Sequence, residues 1–291
     1  MNILEILAQE LPQIFQEVAL TIERVVDLPF SENEDYFQRV NSKNTESFRY
    51  WIPWTEEIGA FVDRDGSEIL VLLQENVLDV DFESIILGFT SVLTGVCLNL
   101  QGKVAIHANA VSLKGLACAF AGHSGIGKST LSTYCAEQGA GFITDDVLVV
   151  KDNASVLPGN PRLKLYPYTA ESLGLEVIEN TDYKIFYDLA QWGVKFHDLS
   201  VPLGVIYLLA EDSEREDIYS EAIPPSQAVF ELLTHSYYAN ELIKDNPQVF
   251  NAYINLVTNF PIKKLIYPRD FAKLPEVYDF LMQEVSQLSI L

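Results

Sequence analysis

The glycine-rich stretch Gly122–Ser129 constrains the fold of this chain more than any other part of the sequence. It reads GHSGIGKS and fits the phosphate-binding pattern of a glycine, any four residues, and then Gly-Lys-Ser or Gly-Lys-Thr. The apolar run Leu116–Ala121 before it is too short for a helix and is bounded by glycines, which is typical of a buried strand. The run Thr130–Glu137 after it favours a helix. We therefore predict a strand, a loop and a helix in direct succession.

A loop of this kind binds phosphate groups through its backbone. Its glycines adopt conformations closed to other residues, and the following helix points its positive N-terminal end at the anion. Lys128 would reach the β- and γ-phosphates of a nucleotide, and the Ser129 hydroxyl would bind a magnesium ion. The predicted nucleotide-binding residues of the loop are Gly122, His123, Ser124, Gly125, Ile126, Gly127, Lys128, Ser129 and Thr130. The pattern alone leaves open a glycine-rich turn that binds nothing.

Two neighbouring acids, Asp145 and Asp146, follow this loop after about one helix and one turn. The short strand predicted at Gly141–Thr144 can lie beside the strand of the loop, with its carboxyl end at the same edge of the sheet. A carboxylate would then lie next to a magnesium ion held by Ser129. Because neighbouring strand residues point to opposite faces, we expect the two acids to do different jobs unless the strand ends just there.

The overall charge excludes several classes of partner. The 291 residues include 41 Asp and Glu against 19 Lys and Arg, which gives a formal net charge of -22 at pH 7. Such a chain repels polyanions, so we expect neither nucleic acid nor an acidic membrane surface as a partner, whereas a basic peptide is attracted. A nucleotide can still bind, because loop N–H groups, a lysine and a divalent ion act locally. Homo-oligomerisation is left open.

Cysteine usage and the apolar segments indicate a cytoplasmic protein. The three cysteines, Cys97, Cys118 and Cys135, lack metal-like spacing, and we expect them to be buried reduced thiols. No basic residue precedes Arg24, which argues against a secretory signal. The uncharged segment Ile85–Leu100 is shorter than the roughly 20 residues of a membrane span, so we predict a buried helix there.

The pattern along the chain indicates two regions. We predict a smaller N-terminal α+β region at residues 1–100, a candidate for substrate recognition, and a catalytic domain at residues 101–291. The predicted strands outside the loop region are Ala19–Phe30, Ser47–Trp54, Gly59–Arg64, Ser67–Gln74, Lys103–Leu113, Val201–Ala210 and Ile262–Tyr267, with a hairpin turn at Asp65-Gly66. The predicted helices are Asn2–Gln16, Lys128–Gln138, Pro225–Asn240, Pro247–Asn259 and Leu274–Leu288. The polar stretch Ser31–Glu46 is predicted to be a loop.

Several residues outside these motifs have no single functional interpretation. Arg162 and Lys164 lie in a proline-bounded segment after the acids, and they would either clamp phosphates or be solvated surface charges. His197 and His235 show no pattern typical of a metal site or a triad. A group of aromatic residues would line a peptide groove or, more simply, pack in a core or an interface: Phe48, Tyr50, Trp51 and Trp54.

The segment Ile106–Val149 resembles the catalytic core of the HPr serine kinase/phosphorylase family, whose fold is related to phosphoenolpyruvate carboxykinase. The matching features are His107 on the strand before the loop, the loop itself, and the Asp145-Asp146 pair soon after the loop helix. Ordinary phosphate-loop enzymes usually carry their magnesium-binding acid much farther along the chain.

A looser similarity extends to about Ala210. The segments Arg162–Pro167 and Pro202–Leu209 look like HPr kinase-related proteins encoded beside peptide natural-product genes, including the lasso-peptide kinases. The chain departs from the family at His123, where Asp is usual, and at Thr130, where Glu is usual. It also lacks the later signature of the bifunctional enzyme, so HPr as substrate and the reverse phosphorolysis are left open.

The resemblance implies a phosphate-loop kinase core with a mixed, strongly twisted sheet and an ATP- and Mg2+-dependent transfer of phosphate to a serine-type hydroxyl. The acceptor would be a peptide or small protein, such as a ribosomal peptide precursor. By position, Asp145 would be the base and Asp146 would bind the metal with Ser129. His107 would contact the reacting phosphate or tune the acid, beside the catalytic Lys128.

Two other functions remain open at this point. One is a kinase for a small molecule or a carboxykinase-like phosphotransferase, for which we would expect a closed pocket rich in basic groups. The other is a regulatory nucleotide-binding module with slow hydrolysis, which needs the loop but no base. A peptide kinase should instead have an open acidic or aromatic groove beside Asp145.

Overall fold

The computed structural model describes residues 18–28, 38–39, 48–77, 79–151, 154–177, 184–211 and 217–288. These residues form a mixed α/β arrangement. The chain divides into two compact units, Met1–Ala105 with Tyr237–Phe250, and Ile106–Ser236 with Asn251–Leu291. The predicted helix Asn2–Gln16 lies outside the described residues, as does most of the predicted loop Ser31–Glu46.

The first unit contains a five-stranded sheet. Its strands are β1 (Ala19–Val25), β2 (Gln38–Arg39), β3 (Phe48–Pro53), β4 (Ile58–Asp63) and β5 (Glu68–Gln74), in the order β1-β5-β4-β3-β2. The hairpin β4–β5 turns at Asp65-Gly66 as predicted, because Gly66 adopts a φ of 73° that favours glycine. Tyr50 and Trp51 are each 1% exposed and belong to the core, so they do not line an open groove.

A long helix follows this sheet. It is α1 (Asp79–Leu100), which contains the predicted helix Ile85–Leu100 and begins six residues earlier. Its last two turns are buried, from Leu93 through Leu100. Among the helices in the described part of the chain, none combines the length and apolarity that crossing a membrane requires.

The second unit contains the glycine-rich loop and most of the strands. The strands are β6 (Val104–Leu113), β7 (Leu116–Ala121), β8 (Gly141–Thr144), β9 (Val147–Val150), β10 (Ser155–Val156), β11 (Arg162–Leu165), β12 (Ile185–Asp188), β13 (Val201–Ala210), β14 (Tyr219–Ala222) and β15 (Ile262–Ile266). The remaining helices along the chain are α2 (Lys128–Glu137), α3 (Pro167–Ser172), α4 (Pro225–Thr234), α5 (Ala239–Leu242), α6 (Pro247–Asn259) and α7 (Leu274–Ser286).

The main sheet of this unit is mixed and has the order β10-β9-β6-β7-β13-β15-β14, with β8 also paired to β6. Strands β7, β13 and β15 are parallel, so their carboxyl ends meet at one edge of the sheet. The loop Gly122–Ser129, Glu211 and Tyr267 follow directly from these three ends. Strands β11 and β12 form a separate antiparallel pair.

Two predictions about local structure need correction. The strand Gly141–Thr144 does not lie beside β7; it pairs antiparallel with β6, which lies between the two. Since β6 is antiparallel to both, β8 still ends at the same edge as β7. The predicted helix Pro225–Asn240 ends at Thr234, because Ser236 forms a bridge with Ile106 and Tyr238 adopts a φ of 54°.

The core of the second unit packs α2 and α7 against the sheet. Phe120 of β7 and Tyr207 of β13 stack with ring centroids 6.2 Å apart, and Leu131 and Cys135 of α2 are fully buried in the same cluster. Cys97, Cys118 and Cys135 are all free and buried, as predicted.

Glu284 connects the C-terminal helix α7 to this sheet. Its Oε2 accepts hydrogen bonds from Lys263 Nζ at 2.7 Å, Ser220 Oγ at 2.7 Å and Tyr207 Oη at 3.3 Å. Burial acts to raise the pKa of Glu284, but the hydrogen bonds and charge of these neighbours outweigh it and leave the pKa below the ordinary value of 4.5. The ionised carboxylate therefore stabilises the fold.

We expect Glu284→Gln to lower the free energy of unfolding by about 2 kcal/mol, because it leaves the Lys263 ammonium without its carboxylate. The group's pKa is lower in the folded chain, so this loss is full above the unfolded pKa and shrinks as pH falls through the folded pKa. Urea titrations at pH 7 and below pH 4 measure it. Glu276→Gln, on the same helix but in the exposed pair with Lys273, is the matched control and should change little. Equal effects of the two variants would contradict the prediction.

Candidate active site

The loop after β7 turns at three glycines with positive φ angles. Gly122, Gly125 and Gly127 have φ angles of 148°, 80° and 106°, in the region that favours glycine. Helix α2 begins at Lys128 without a side-chain cap and without an acidic residue in its first turn. Its N-terminal N–H groups are therefore available to an anion at the carboxyl edge of the sheet.

Lys128 is only 7% exposed and lies inside this loop. Its Nζ donates to the carbonyl oxygens of Gly122 at 2.7 Å and His123 at 3.2 Å. Burial, reinforced by the nearby charge of Lys184, lowers the pKa of Lys128 to about 8. Asp145 and Asp146 compensate the positive charge of this ammonium group only in part. A phosphate group in the loop would complete that compensation.

Asp145 contacts the beginning of helix α2. Strand β8 ends at Thr144, and Asp145 Oδ1 lies 3.4 Å from Ser129 Oγ. Its Oδ2 accepts from the backbone N–H of Lys164 at 2.8 Å, and the side chain of Asn109 also favours its ionised form. Burial, followed by the charge of Asp146, raises the pKa of Asp145 to about 7. The carboxylate next to Ser129 is thus Asp145.

Asp146 faces a different direction because the strand has ended. It adopts a φ of 68°, which is unusual for a residue other than glycine, and its side chain lines the cleft over the loop. Its Oδ1 lies 4.0 Å from Nε2 of His107. His107 is held through its backbone N–H, which donates to the His235 carbonyl at 2.7 Å. Burial lowers the pKa of His107 to about 4, so its ring is neutral at pH 7.

The cleft above the loop encloses about 870 Å³ when the open solvent at its mouth is included. Beyond the loop, two segments of the second unit contribute to its lining, and we name two ends of the cleft after them. The tyrosine end is lined by Lys164, Tyr166, Tyr168 and Lys184, and the C-terminal end by Tyr267, Arg269, Phe271 and Leu274. The charged residues lining the cleft are Lys128, Lys164, Lys184 and Arg269 against Asp146 and Asp270. The cleft is therefore locally basic although the chain is strongly acidic.

The tyrosine end lies beside the acids. Lys184 Nζ lies 5.6 Å from the centroid of the Tyr166 ring, and this ring stacks on Tyr168 with centroids 5.5 Å apart. The charge of Lys184 also acts on His107, Lys128 and Asp145. Tyr168 is 61% exposed, so this end opens to solvent.

The structure brings most of the predicted site residues to one cleft. The predicted residues that line it are His107, Ser124, Gly125, Ile126, Gly127, Lys128, Ser129, Thr130 and Asp146. Asp145 lies beneath it through its contact with Ser129. The ring of His123 instead packs against His235, with centroids 5.1 Å apart. Arg162 does not line the cleft, whereas Lys164, two residues farther along β11, does.

Several residues of this site were missed by sequence reasoning, among them three polar ones. Asn109, which is fully buried, lies two residues after His107 on β6, and this spacing could have placed it on the same face. Lys184 and Arg269 are distant in sequence from the loop and from any motif. Only the pairings β11–β12 and β13–β15 bring them to it.

The donor set suits magnesium bound together with a nucleotide. In the described ranges, no group of three or more His, Cys, Asp and Glu side chains could hold a metal ion. Magnesium bound with phosphates needs only one or two protein oxygens, and Ser129 Oγ and Asp145 provide them. Nearby, the buried Oδ1 of Asn109 has no hydrogen-bond partner among the described residues. These hard oxygen atoms fit Mg2+ and water better than a softer metal.

Comparisons with known proteins give a distant structural similarity. No protein-family profile matches the chain, and no curated protein matches it. Among solved structures, the chain is similar to the Hpr(Ser) kinase/phosphatase from Coxiella burnetii, with 12% identity and a TM-score of 0.33. That match covers 62% of this chain and 98% of the other. A similarity this distant carries no information about the chemistry of the site.

Proposed function

We propose that the protein is an ATP- and Mg2+-dependent phosphotransferase that phosphorylates a serine-type hydroxyl of a peptide or small protein. One observation carries the proposal: two adjacent carboxylates meet the glycine-rich loop in different ways. Asp145 contacts Ser129 beneath the loop, while Asp146 faces the cleft near His107. A module that only binds nucleotide needs no second carboxylate in the cleft.

The loop binds the phosphate chain in this proposal. Its N–H groups and the N-terminus of α2 hold the phosphate oxygens, and Lys128 turns from the loop carbonyls to the β- and γ-phosphates. When bound, Mg-ATP supplies the phosphoryl group and a cation that neutralises its charge. Ser129 and Asp145 are the residues that would hold the ion.

The contacts favour an exchange of the roles that the sequence suggested for the acids. Asp145, next to Ser129 and held by the N–H of Lys164, is positioned for the metal, and Asp146, in the cleft, is positioned for the acceptor. Asp146 takes the proton of the acceptor hydroxyl while the oxygen of that hydroxyl forms a bond to the γ-phosphorus. The bond from that phosphorus to the β–γ bridging oxygen breaks, and ADP leaves.

His107 acts on Asp146 as a neutral ring. At 4.0 Å it is too far for a direct hydrogen bond to this carboxylate, but a small shift or a single water molecule closes the gap. Because burial keeps this ring neutral at pH 7, it can orient the Asp146 carboxylate without forming a fixed ion pair with it. His107 is thus a positioning residue for the base.

The tyrosine end supports a peptide as acceptor. It is open, it is aromatic, and it lies beside Asp146, as expected for a kinase that binds an extended chain. The net charge of -22 attracts a basic peptide and repels nucleic acid. A ribosomal peptide precursor fits this description.

One observation favours a second acceptor class. Lys164 and Lys184 both line the tyrosine end, and two ammonium groups beside the acids would suit a small anionic acceptor. Transfer of labelled γ-phosphate from ATP to a panel of Ser-containing basic peptides and to small hydroxy acids separates the two classes. Labelled peptide supports the proposal, and labelled hydroxy acid supports the second class. ATP hydrolysis at a rate that is independent of every acceptor contradicts both.

We expect Tyr168→Ala to raise the KM for the peptide acceptor by about tenfold while the KM for ATP changes little, because the ring lies on the acceptor side. Initial rates at saturating ATP measure this effect. Phe230→Ala is the matched control, because Phe230 is an aromatic residue on α4, 63% exposed, that does not line the cleft. A larger change in the KM for ATP than for peptide would contradict this assignment of the tyrosine end.

A further inference from the structure

The proposed function gives the phosphate chain a direction in the cleft. Its γ end must lie beside Asp146 and His107, which adjoin the tyrosine end. The nucleoside must then lead away from the acids, past Gly125 and Ile126 at the tip of the loop. Arg269, Phe271 and Leu274 line the same cleft, and Arg269 contacts the carbonyl of Gly125 in the loop.

We propose that the C-terminal end of the cleft is a stacking subsite for the purine base, with Phe271 and Arg269 as its planar groups and little selectivity between adenine and guanine. This inference rests on the proposed function. Phe271 is 39% exposed although it is large and apolar, and Ile126 and Leu274 line the same cleft. A base laid on this ring would cover apolar surface that water now contacts.

Arg269 is held over the tip of the loop by two contacts. Its Nη2 donates to the carbonyl of Gly125 at 2.6 Å, and its Nη1 lies 3.8 Å from Glu211 Oε2. Both Arg269 and Glu211 follow the carboxyl ends of parallel strands, β15 and β13, so the sheet brings the two side chains to the same edge. A guanidinium group fixed in this way offers a flat cationic face to a base.

Weak selectivity is expected because the charged side chains at this end are oriented by the protein itself and not by a base edge. Asp270 Oδ1 accepts from the N–H of Ala272 at 2.9 Å, and the Arg269 guanidinium contacts Gly125 and Glu211. Bases are discriminated strongly only by sites built to pair with their edges, whereas a stacking surface accepts any purine face. ATP and GTP should therefore bind with dissociation constants that agree within about fivefold.

Calorimetric titration with Mg2+ present tests the subsite with three probes: ATP, GTP and inorganic tripolyphosphate. We expect Phe271→Ala to weaken ATP and GTP by about 5- to 100-fold and to leave tripolyphosphate unchanged, since the latter has no base. Phe271→Trp should restore the affinity for both nucleotides. Phe230→Ala, the same change at an exposed phenylalanine outside the cleft, should affect none of the probes.

Other outcomes separate this inference from the proposed function. If Lys128→Ala weakens all three probes but Phe271→Ala weakens none, the base lies elsewhere and the function stands. If Phe271→Ala weakens tripolyphosphate as much as ATP, Phe271 supports the loop and does not stack a base. A preference for ATP over GTP above about 50-fold overturns weak selectivity. If the unaltered protein binds none of the probes, the proposed function fails together with the subsite.

Discussion

Lys128→Ala is expected to reduce phosphate transfer from ATP by about 10²- to 10³-fold, with a higher KM for ATP, because the variant loses the one ammonium group inside the loop. The ammonium group of Lys128 is nearly buried and points at the carbonyls of Gly122 and His123. A cation confined in a low-dielectric loop interacts with phosphate far more strongly than one in water. Labelled γ-phosphate transfer at several ATP concentrations measures both constants.

Two control variants test whether the loss of transfer is specific to the amine of Lys128. Lys128→Arg retains the charge but adds bulk to a residue that is 7% exposed, so we expect it to recover little activity. Lys114→Ala removes a lysine from the exposed turn before β7, far along the chain from the acids, and should leave transfer unchanged. Thermal unfolding of each variant checks that the fold is intact. Transfer by folded Lys128→Ala at the unaltered rate would exclude the loop as the phosphate site.

Local patterns in the sequence were sufficient to predict the centre of the site. The run Leu116–Ala121 is β7 at the predicted bounds, and Lys128 begins the helix as expected. These features depend on short-range physics: apolar residues between turn glycines, and positive φ angles that favour glycine. The strands Gly141–Thr144 and Val201–Ala210 were confirmed for the same reason.

The sequence could not predict which distant strands pair, and it therefore could not predict the shape of the site. Nothing in the composition of β8 shows that it pairs with β6 rather than β7, because both arrangements bury the same apolar residues. The φ of 68° at Asp146 also decides which acid faces the cleft, and no residue pattern indicates it. Arg269 reaches the loop from 144 positions away, through the pairing of β15 with β13.

Asp146→Asn and Asp145→Asn are expected to fail in different ways. We expect Asp146→Asn to lower kcat by about 10²- to 10⁴-fold with little change in the KM for ATP, because an amide cannot accept the acceptor's proton. We expect Asp145→Asn to raise the Mg2+ concentration needed for half-maximal rate by about 10- to 100-fold, because it weakens the oxygen set around Ser129. Initial rates across a magnesium series, at saturating ATP and peptide, separate the two effects.

The two variants are matched controls for each other, since each replaces a carboxylate with an amide of the same shape one position apart. If Asp145→Asn loses turnover with an unchanged magnesium requirement, while Asp146→Asn shifts that requirement, the roles are those that the sequence first suggested. If both variants shift only the magnesium requirement, neither acid is a base, and the site works by positioning and charge alone. The expected split depends on one structural fact: β8 ends at Thr144, so Asp145 turns to Ser129 and Asp146 turns to the cleft.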